Sequence, residues 1–294
     1  MRLLIDRVLT LAACLSLLAS GHAQDKVALV TVPFDSPALH MRAPFNVELP
    51  AGYEHDVARY PVLYLLHGIG DHYDAWVEKT NLLVYATRYP LIIVMPEADK
   101  GWYTNGVAPN ARWEDYLMKE VIPYVESHYR TLQDQRMWAV AGLSMGGYGA
   151  LKLGLKYRDQ FSFAASMSGA LYVTNWSDQD LKDRQDIAHT IDAAFGPVGS
   201  PARTANSLNT LLDAALGDKE SGPPFIYLDC GTEDHLITDS RQFSETLLQK
   251  KVPHEYRERP GVHDWHEWDH QIQEVLKVLF EYWHLPVRDA GRTP

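Results

Sequence analysis

The chain has 294 residues, of which 46% are hydrophobic and 22% are charged, and its formal net charge at neutral pH is −11. This composition is that of a globular protein, and the length allows one large domain with a single core. Because an acidic surface repels phosphate groups, the charge argues against nucleic acid and anionic lipid headgroups as partners.

The N-terminal segment has the pattern of a secretory signal peptide. A short basic region precedes an apolar run over 8–18, and Gly21 and Ala23 are small residues at −3 and −1 of a cut after Ala23. The apolar run is shorter than the about 20 residues that a membrane-spanning helix needs. We therefore predict a signal peptide over 1–23, no membrane span, and a secreted or periplasmic protein.

The two cysteines call for separate interpretations. Cys14 ends a lipobox-like stretch over 11–14, and lipid attachment at Cys14 is the alternative to a cut after Ala23. Cys230 lies in an apolar run with no base and no glycine turn around it, so we interpret it as a buried structural thiol.

Short β-rich runs alternate with longer helical patterns along the mature chain. This alternation predicts an α/β fold, with a mostly parallel central sheet and helices on both faces. The predicted strands cover 26–32, 45–49, 62–66, 91–95, 137–141, 163–167, 225–228 and 254–259, and the predicted helices cover 114–128, 146–157, 240–250 and 265–283.

We expect one domain over 24–288, followed by a short tail over 289–294. The stretch 174–222 is polar and is broken by Gly-Pro and Gly-Ser-Pro sequences. It is predicted to form an excursion of short helices and loops over one edge of the sheet, where substrate pockets are common.

The strongest motif is G-x-S-x-G at Gly142, Ser144 and Gly146, between an apolar strand and a helical run. In that context the serine stands on a tight strand-to-helix turn, and the residues two positions away must be small. The turn lifts the hydroxyl above the sheet, and the N-terminus of the next helix faces the developing negative charge. The motif predicts Ser144 as a catalytic nucleophile, with a plain glycine turn as the alternative.

A serine nucleophile needs a base, and the base needs an acid that orients it. The acid is expected on a loop after a later strand. Asp234 lies in the loop that follows the strand over 225–228, and Gly231 opens that loop. Asp229 is expected within the strand, and Glu233 is the local alternative to Asp234.

The predicted base is His263, the first histidine after the strand over 254–259. A base on such a loop reaches over the sheet edge toward Ser144. His266 and His270 are competitors, but they lie in the following helix, where an exposed or capping histidine is the simpler interpretation.

The tetrahedral intermediate needs two backbone N–H donors for its oxyanion. Met145, the residue after the nucleophile, is expected to provide one donor. Ile69, on the loop after the third predicted strand, is expected to provide the other, with Gly70 as the alternative. His67 ends that buried strand, and we expect it to brace the loop.

These motifs resemble the bacterial serine esterase family that includes feruloyl and acetylxylan esterases, S-formylglutathione hydrolases and mycolyltransferases. The likeness covers about residues 40–285. The matching segments are 64–68 (YLLHG), 101–103 (GWY), 141–147 (AGLSMGG), 168–170 (SGA), 230–234 (CGTED) and 263–265 (HDW) with Trp268.

The resemblance implies an α/β-hydrolase fold, a triad of Ser144, Asp234 and His263, and oxyanion donors at Ile69 and Met145. It implies a carboxylesterase, with acyl transfer of the mycolyltransferase type as the alternative. Export argues against the intracellular chemistry of S-formylglutathione. Mycolyltransferases carry a carboxamide or acidic residue where this chain has a histidine before the loop glycine, which weakens the acyltransferase interpretation.

A different class of enzyme is suggested by H-E-x-x-H at His266, Glu267 and His270. In zinc peptidases two histidines one helical turn apart bind the metal, and the glutamate activates water. Asp269 places a charge inside the pair, where such enzymes usually have uncharged residues. We regard a zinc peptidase as the weaker hypothesis.

The sequence therefore predicts a secreted serine carboxylesterase that forms an acyl-serine intermediate and needs no metal or organic cofactor. Its expected substrate is a small-molecule or carbohydrate ester. A catalytically inactive binding protein is a further alternative. Oligomeric state, acyl group and alcohol stay open. Candidates for substrate contact are the aromatic residues Trp76, Trp102, Tyr103 and Trp176, each of which is alternatively a packed core residue.

Overall fold

The structure, a computed structural model, describes residues 26–288. The predicted signal peptide, Cys14 and the predicted tail lie outside the described residues. A central sheet of eight strands runs through the described part. The strands are β1 (Ala28–Val32), β2 (Phe45–Leu49), β3 (Val62–Leu66), β4 (Ile92–Pro96), β5 (Trp138–Leu143), β6 (Phe163–Met167), β7 (Phe225–Gly231) and β8 (His254–Arg259).

The strands lie in the order β1-β2-β4-β3-β5-β6-β7-β8. β2 is antiparallel to both β1 and β4, and every other pair of neighbours is parallel. The predicted, mostly parallel sheet is therefore confirmed. Each predicted strand is found, with small shifts at the ends. The largest shift extends β7 by three residues to Gly231, and β5 extends to Leu143, so that it ends directly before Ser144.

Helices connect the strands and cover both faces of the sheet. The four predicted helices are present, the first in two pieces joined by a π-helical segment, Tyr116–Val121. The helices are α1 (Ala75–Lys79), α2 (Leu82–Ala86), α3 (Trp113–Asp115), α4 (Ile122–His128), α5 (Met145–Lys156), α6 (Gln185–Phe195), α7 (Pro201–Ala205), α8 (Leu208–Gly217), α9 (Ile237–Gln249) and α10 (Trp265–Tyr282).

Smaller elements complete the described chain. A two-stranded antiparallel ribbon pairs Asp35–Ser36 with Met41–Arg42. Short 3-10 turns cover Tyr53–His55, Gln135–Met137 and Val173–Asn175. The stretch 174–222 contains α6, α7 and α8. Among the described residues, no helix is both long enough and apolar enough to cross a membrane.

The core consists of two apolar layers, one on each face of the sheet. Val62–Leu66 is buried along its whole length, because its side chains alternate between the two layers. One layer packs against helices that include α5 and α8, and the other packs against α1, α2 and α10. Each fully buried aliphatic side chain contributes about 1.5–3 kcal/mol, so the central strands form a rigid platform.

The parallel strands place their carboxyl ends at one edge of the sheet. β3 and β5 are neighbours there, with Leu66 paired to Gly142. β7 and β8 end at the same edge, with Arg259 paired to Gly231. The loops that follow these four strands carry the residues that the sequence predicts for catalysis, and they meet at this edge.

Candidate active site

Ser144 stands on a sharp turn between β5 and α5. Its backbone angles, φ 51° and ψ −115°, lie in a region that non-glycine residues rarely adopt. The Ser144 N–H donates to Met167 O on β6 at 3.0 Å, and Ser144 O accepts from Tyr148 N at 3.1 Å. These bonds hold the strained residue in place, as the G-x-S-x-G motif requires.

The two glycines of the motif are required by contacts between main chains. A Cβ atom on Gly142 would collide with the carbonyl of Gly146. A Cβ atom on Gly146 would lie 2.6 Å from the carbonyl oxygens of Leu66 and His67 on the neighbouring strand. Any side chain at either position would therefore push the turn away from β3, which explains the motif physically.

The structure brings together the three residues predicted as a triad. His263 Nε2 lies 3.0 Å from Ser144 Oγ, and His263 Nδ1 lies 2.8 Å from Asp234 Oδ2. The His263 side chain is 20% exposed, so it is open to the cavity on one side. Trp268 packs edge-on against its ring at 5.0 Å between centroids. The imidazole is therefore held between a carboxylate and a hydroxyl.

Asp234 is buried, and its second carboxylate oxygen accepts the Leu236 N–H at 2.8 Å. Burial alone would raise the pKa of this carboxyl. The hydrogen bond and charge of His263 outweigh burial, and the net pKa of Asp234 lies below its usual value. The group is therefore a carboxylate at neutral pH, as the orienting acid of a triad must be.

The two alternative acids have other contacts. Glu233 accepts the Gly261 N–H at 2.7 Å and donates its own N–H to Gly261 O at 3.0 Å, which ties the acid loop to the base loop. Asp229 lies in β7, where it accepts from the Tyr227 hydroxyl at 2.9 Å and from Gln271 Nε2 at 3.3 Å. Burial raises the pKa of Asp229 to about 6.

Two backbone N–H groups near the nucleophile have no hydrogen-bond partner among the described residues. Within residues 26–288, the amides of Ile69 and Met145 donate to no protein acceptor. Met145 is the first residue of α5, where N–H groups are left free by helix geometry. A Cβ atom on Gly68 would lie 3.5 Å from Ser144 Cβ, so the loop that carries Ile69 runs beside the nucleophile. The two amides are available to an oxyanion.

A cavity of about 420 Å³ opens over Ser144 and His263. Ile69, Trp102 and Trp176 line it, and the excursion contributes further apolar side chains. Thus two of the four aromatic candidates lie at the cavity wall.

The other two aromatic candidates, Trp76 and Tyr103, do not line this cavity. Trp76 is 1% exposed, donates its indole N–H to Leu66 O and packs on Trp265. It belongs to the core layer that packs against α1, α2 and α10. Tyr103 is also 1% exposed, and its hydroxyl donates to His67 O. Both side chains are buried by packing against main chain and do not line the cavity.

Sequence reasoning missed the other polar residues of the cavity wall, which are Asp71, Asp180, Arg184, His235 and Asp239. The His235 ring lies 4.5 Å from that of His263, and burial, together with the charge of His263, lowers the pKa of His235. Burial raises the pKa of Asp239. The position of His235 directly after the acid was a usable signal. Arg184 belongs to the polar excursion, which carries no motif.

Within residues 26–288, the other reactive groups that the sequence offered do not form a second site. Cys230 is buried in β7, and burial raises the pKa of its thiol to about 12, so it is not a thiolate at neutral pH. His266 and His270 are neighbours on α10, with ring centroids 4.9 Å apart. Glu267 turns away from them toward the base loop, where it packs against Gly261.

Metal-ligating groups meet at a different place. In the described part of the chain, the one cluster of three such groups is Asp234, His235 and His263. Two of these belong to the predicted triad. The H-E-x-x-H pair has no third ligand among the described residues, so the arrangement of a zinc peptidase is not formed.

Comparisons with known proteins place the chain among esterases. A family model, Esterase, matches residues 36–279. The chain is 27% identical over 219 residues to an acetyl esterase of Caldicellulosiruptor saccharolyticus, covering 74% of this chain and 82% of that protein. It is 31% identical over 249 residues to an esterase of Mycobacterium tuberculosis, covering 78% of this chain, and it spans about half (54%) of that longer protein.

A solved structure shows the same architecture. A fluorophosphonate-binding serine hydrolase of Staphylococcus aureus, with substrate bound, superposes with a TM-score of 0.78 at 27% identity. The match covers 86% of this chain and 98% of that one. The central sheet described above is therefore shared with a known serine hydrolase.

Proposed function

Because the chain belongs to the Esterase family and is a carboxylesterase with an α/β-hydrolase fold, we propose that Ser144 attacks the ester and carries the acyl group. The observation that carries this proposal is the hydrogen-bonded series Ser144–His263–Asp234, with distances of 3.0 Å and 2.8 Å. A serine, an imidazole and a buried carboxylate in this order form the charge arrangement that serine hydrolases use.

The proposed mechanism follows from the geometry. His263 Nε2 accepts the proton of Ser144 Oγ as the oxygen attacks the ester carbonyl, while Asp234 stabilises the imidazolium. The oxyanion accepts the N–H groups of Ile69 and Met145. His263 then protonates the leaving alcohol, and an acyl-serine remains. Water, activated by the same imidazole, attacks the acyl-serine, releases the acid and restores the hydroxyl.

The proposed substrate is an ester of a short or aromatic acid with a small-molecule or carbohydrate alcohol. Trp102 and Trp176 at the cavity wall support an acyl group or sugar ring that packs on aromatic faces. Arg184 and His235 supply hydrogen-bond donors for hydroxyl groups at the same wall. The similarity to an acetyl esterase is consistent with a small acyl group.

The experiment is a comparison of Ser144→Ala with Ser127→Ala, a control on the exposed surface of α4. We expect the Ser144 variant to lose kcat on p-nitrophenyl acetate by at least about 10³-fold, and to lose labelling by a fluorophosphonate probe. Ser127→Ala should keep the wild-type kcat and the labelling. EDTA should lower neither of them. Ester hydrolysis by Ser144→Ala at the wild-type rate would refute the proposal. Loss of wild-type activity in EDTA would favour a metal enzyme.

The same assay separates hydrolysis from acyl transfer. Methyl ferulate and acetylated xylan test the two acyl groups, and added glycerol offers an alcohol acceptor. We expect free acid as the main product. An ester of glycerol as the main product would support the acyltransferase alternative, because only the acceptor differs between the two reactions.

We further propose that the protein is exported and that its leader is cut after Ala23. This proposal rests on the apolar run and small residues of the N-terminal sequence.

A further inference from the structure

Two loops and one helix meet behind the proposed oxyanion hole. We call residues 67–70 the oxyanion loop; they follow β3 and include the Ile69 N–H. Tyr103 lies on the loop after β4, and Lys152 lies on α5. His67, Tyr103 and Lys152 are buried, each at most 1% exposed. None of these three side chains takes part in the proposed mechanism.

His67 holds the peptide group that carries one oxyanion donor. Gly68 O can only accept a hydrogen bond, so His67 Nδ1 carries a proton, while the other ring nitrogen, Nε2, lies 3.0 Å from Ala98 N and 3.4 Å from Glu97 Oε1. Nδ1–H then donates to Gly68 O at 2.8 Å. Gly68 O and the Ile69 N–H are opposite ends of one planar peptide group. The bond to the carbonyl therefore aims the N–H and also polarises it.

Tyr103 holds His67 from behind. Its hydroxyl donates to His67 O at 3.0 Å. Its ring packs on α5, where a Cβ atom on Gly149 would lie 2.6 Å from the Tyr103 ring. Trp102 and Tyr103 have φ angles of 54° and 50°, in the left-handed region. Non-glycine residues keep this backbone conformation only where the surrounding structure holds them in it.

The contact that holds the Tyr103 backbone is a buried ion pair. Lys152 Nζ donates to Tyr103 O at 2.8 Å and pairs with the carboxylate of Glu114, which is 2% exposed. Glu114 also accepts from Lys156 Nζ and the Tyr157 hydroxyl, each at 2.6 Å. Buried ion pairs add little net stability compared with apolar residues of similar size. The position of the Tyr103 backbone therefore explains this pair better than net stability does.

The arrangement links both proposed oxyanion donors to one helix. α5 begins at Met145, which carries one donor, and two turns later it carries Lys152, which reaches the loop that fixes the other. We propose that Tyr103, anchored by the Lys152–Glu114 pair, and His67 are positioning residues that set the Ile69 N–H for the oxyanion. This inference rests on the proposed function.

The test is Tyr103→Phe, which removes the hydroxyl and leaves the ring and the backbone. The matched control is Tyr116→Phe, because Tyr116 is equally buried and donates its hydroxyl to Ala43 O at 2.9 Å and not to the oxyanion loop. We expect Tyr103→Phe to lower kcat about 10-fold with KM within about 2-fold, since only transition-state binding is lost. Tyr116→Phe should keep the wild-type kcat.

A second measurement reports on the oxyanion hole directly. A boronic acid inhibitor forms a tetrahedral adduct with a catalytic serine and places an oxygen in the hole. Its Ki should rise in Tyr103→Phe by the same factor as kcat falls, and should not change in Tyr116→Phe. A merely structural role would lower Tm in both variants and leave kcat and Ki unchanged. That result would overturn the inference.

A double variant, Lys152→Met with Glu114→Gln, tests the anchor without leaving an unpaired buried charge. We expect it to lower kcat by a factor similar to that of Tyr103→Phe. A wild-type kcat in the double variant would overturn the role of the ion pair. If that variant does not fold, Tyr103→Phe and the inhibitor still decide the proposal. The Ser144→Ala result is independent, so wild-type kcat in Tyr103→Phe with an inactive Ser144→Ala would refute this inference alone.

Discussion

Asp234 and Glu233 are adjacent in sequence, yet their carboxylates have different burial and different contacts. The Asp234 carboxylate is buried and contacts His263 Nδ1 at 2.8 Å, whereas Glu233 is exposed and accepts the Gly261 N–H. A buried carboxylate keeps the imidazole in one tautomer and stabilises its charged form. An exposed carboxylate bound to a backbone amide fixes only the position of a loop.

We expect Asp234→Asn to lower kcat by about 10³–10⁴-fold, because the amide favours the wrong imidazole tautomer while the shape of the site is kept. Glu233→Gln serves as the matched control and should lower kcat by less than about 10-fold, since it keeps an acceptor for Gly261. The measurement is kcat on p-nitrophenyl acetate, with circular dichroism to confirm folding. Equal losses in the two variants would contradict the assignment of the acid.

The triad could be predicted from sequence because each member follows a strand in a fixed chain order, and the structure brings the three together. The aromatic contacts could not be predicted in the same way. Trp76 lies in α1 and Trp102 in the loop after β4; both are at most 2% exposed, and only the packing of the loops decides that Trp102 also lines the cavity. Tyr103, on the same loop as Trp102, is buried and does not line the cavity.

Strand β2 carries a carboxylate in the core. Glu48 is 0% exposed, and within residues 26–288 its two carboxylate oxygens have no hydrogen-bond partner. Burial raises the pKa of Glu48 well above its usual value. Between the ordinary value of 4.5 and this raised pKa, the folded protein keeps a proton that the unfolded chain has lost. The free energy of unfolding therefore falls as pH rises through this window.

Glu48→Gln removes that titration. At about pH 5 we expect the charge of Glu48 to make little difference to the free energy of unfolding of variant and wild type. From about pH 5 to about pH 8, the free energy of unfolding of the variant should rise by about 1–3 kcal/mol relative to that of wild type. The control is Glu281→Gln, which changes an exposed carboxylate on α10. Urea unfolding at the two pH values measures the effect. A difference between variant and wild type that does not change with pH would show that Glu48 is ionised in the folded state.

At the level of helices and strands, the sequence indicates those elements whose apolar residues form a continuous run or a regular pattern. The eight strands were predictable because seven of them contain apolar runs of three or more residues or alternate regularly. Helices α1 and α2 have five residues each, too short to show a helical period. The π-helical segment Tyr116–Val121 was also beyond prediction, because its side chains fit a regular helix equally well.

Across the whole molecule, function depends on four loops that meet at one edge of the sheet. The loops after β3, β5, β7 and β8 supply the proposed oxyanion donor, nucleophile, acid and base. The excursion over 174–222 adds a wall to the cavity through Trp176 and its neighbours. Arg203 holds this wall together: it is buried and donates to the carbonyls of Trp176 and Gly196 at 2.6 Å and 3.0 Å. Conserving the sheet while changing the excursion would alter the ester accepted and not the chemistry.

The last prediction concerns the whole chain before it folds. Full-length protein produced in a Gram-negative host should be recovered from the periplasm with Gln24 as its first residue, because the apolar run passes Cys14 and the small residues at the cut end at Ala23. N-terminal sequencing and intact mass measure this directly. Cys14→Ser should be processed identically, and Ala23→Arg should block the cut, since the peptidase accepts only small residues there. A mature chain that starts at a lipid-modified Cys14 and stays with the membrane would instead establish the anchor.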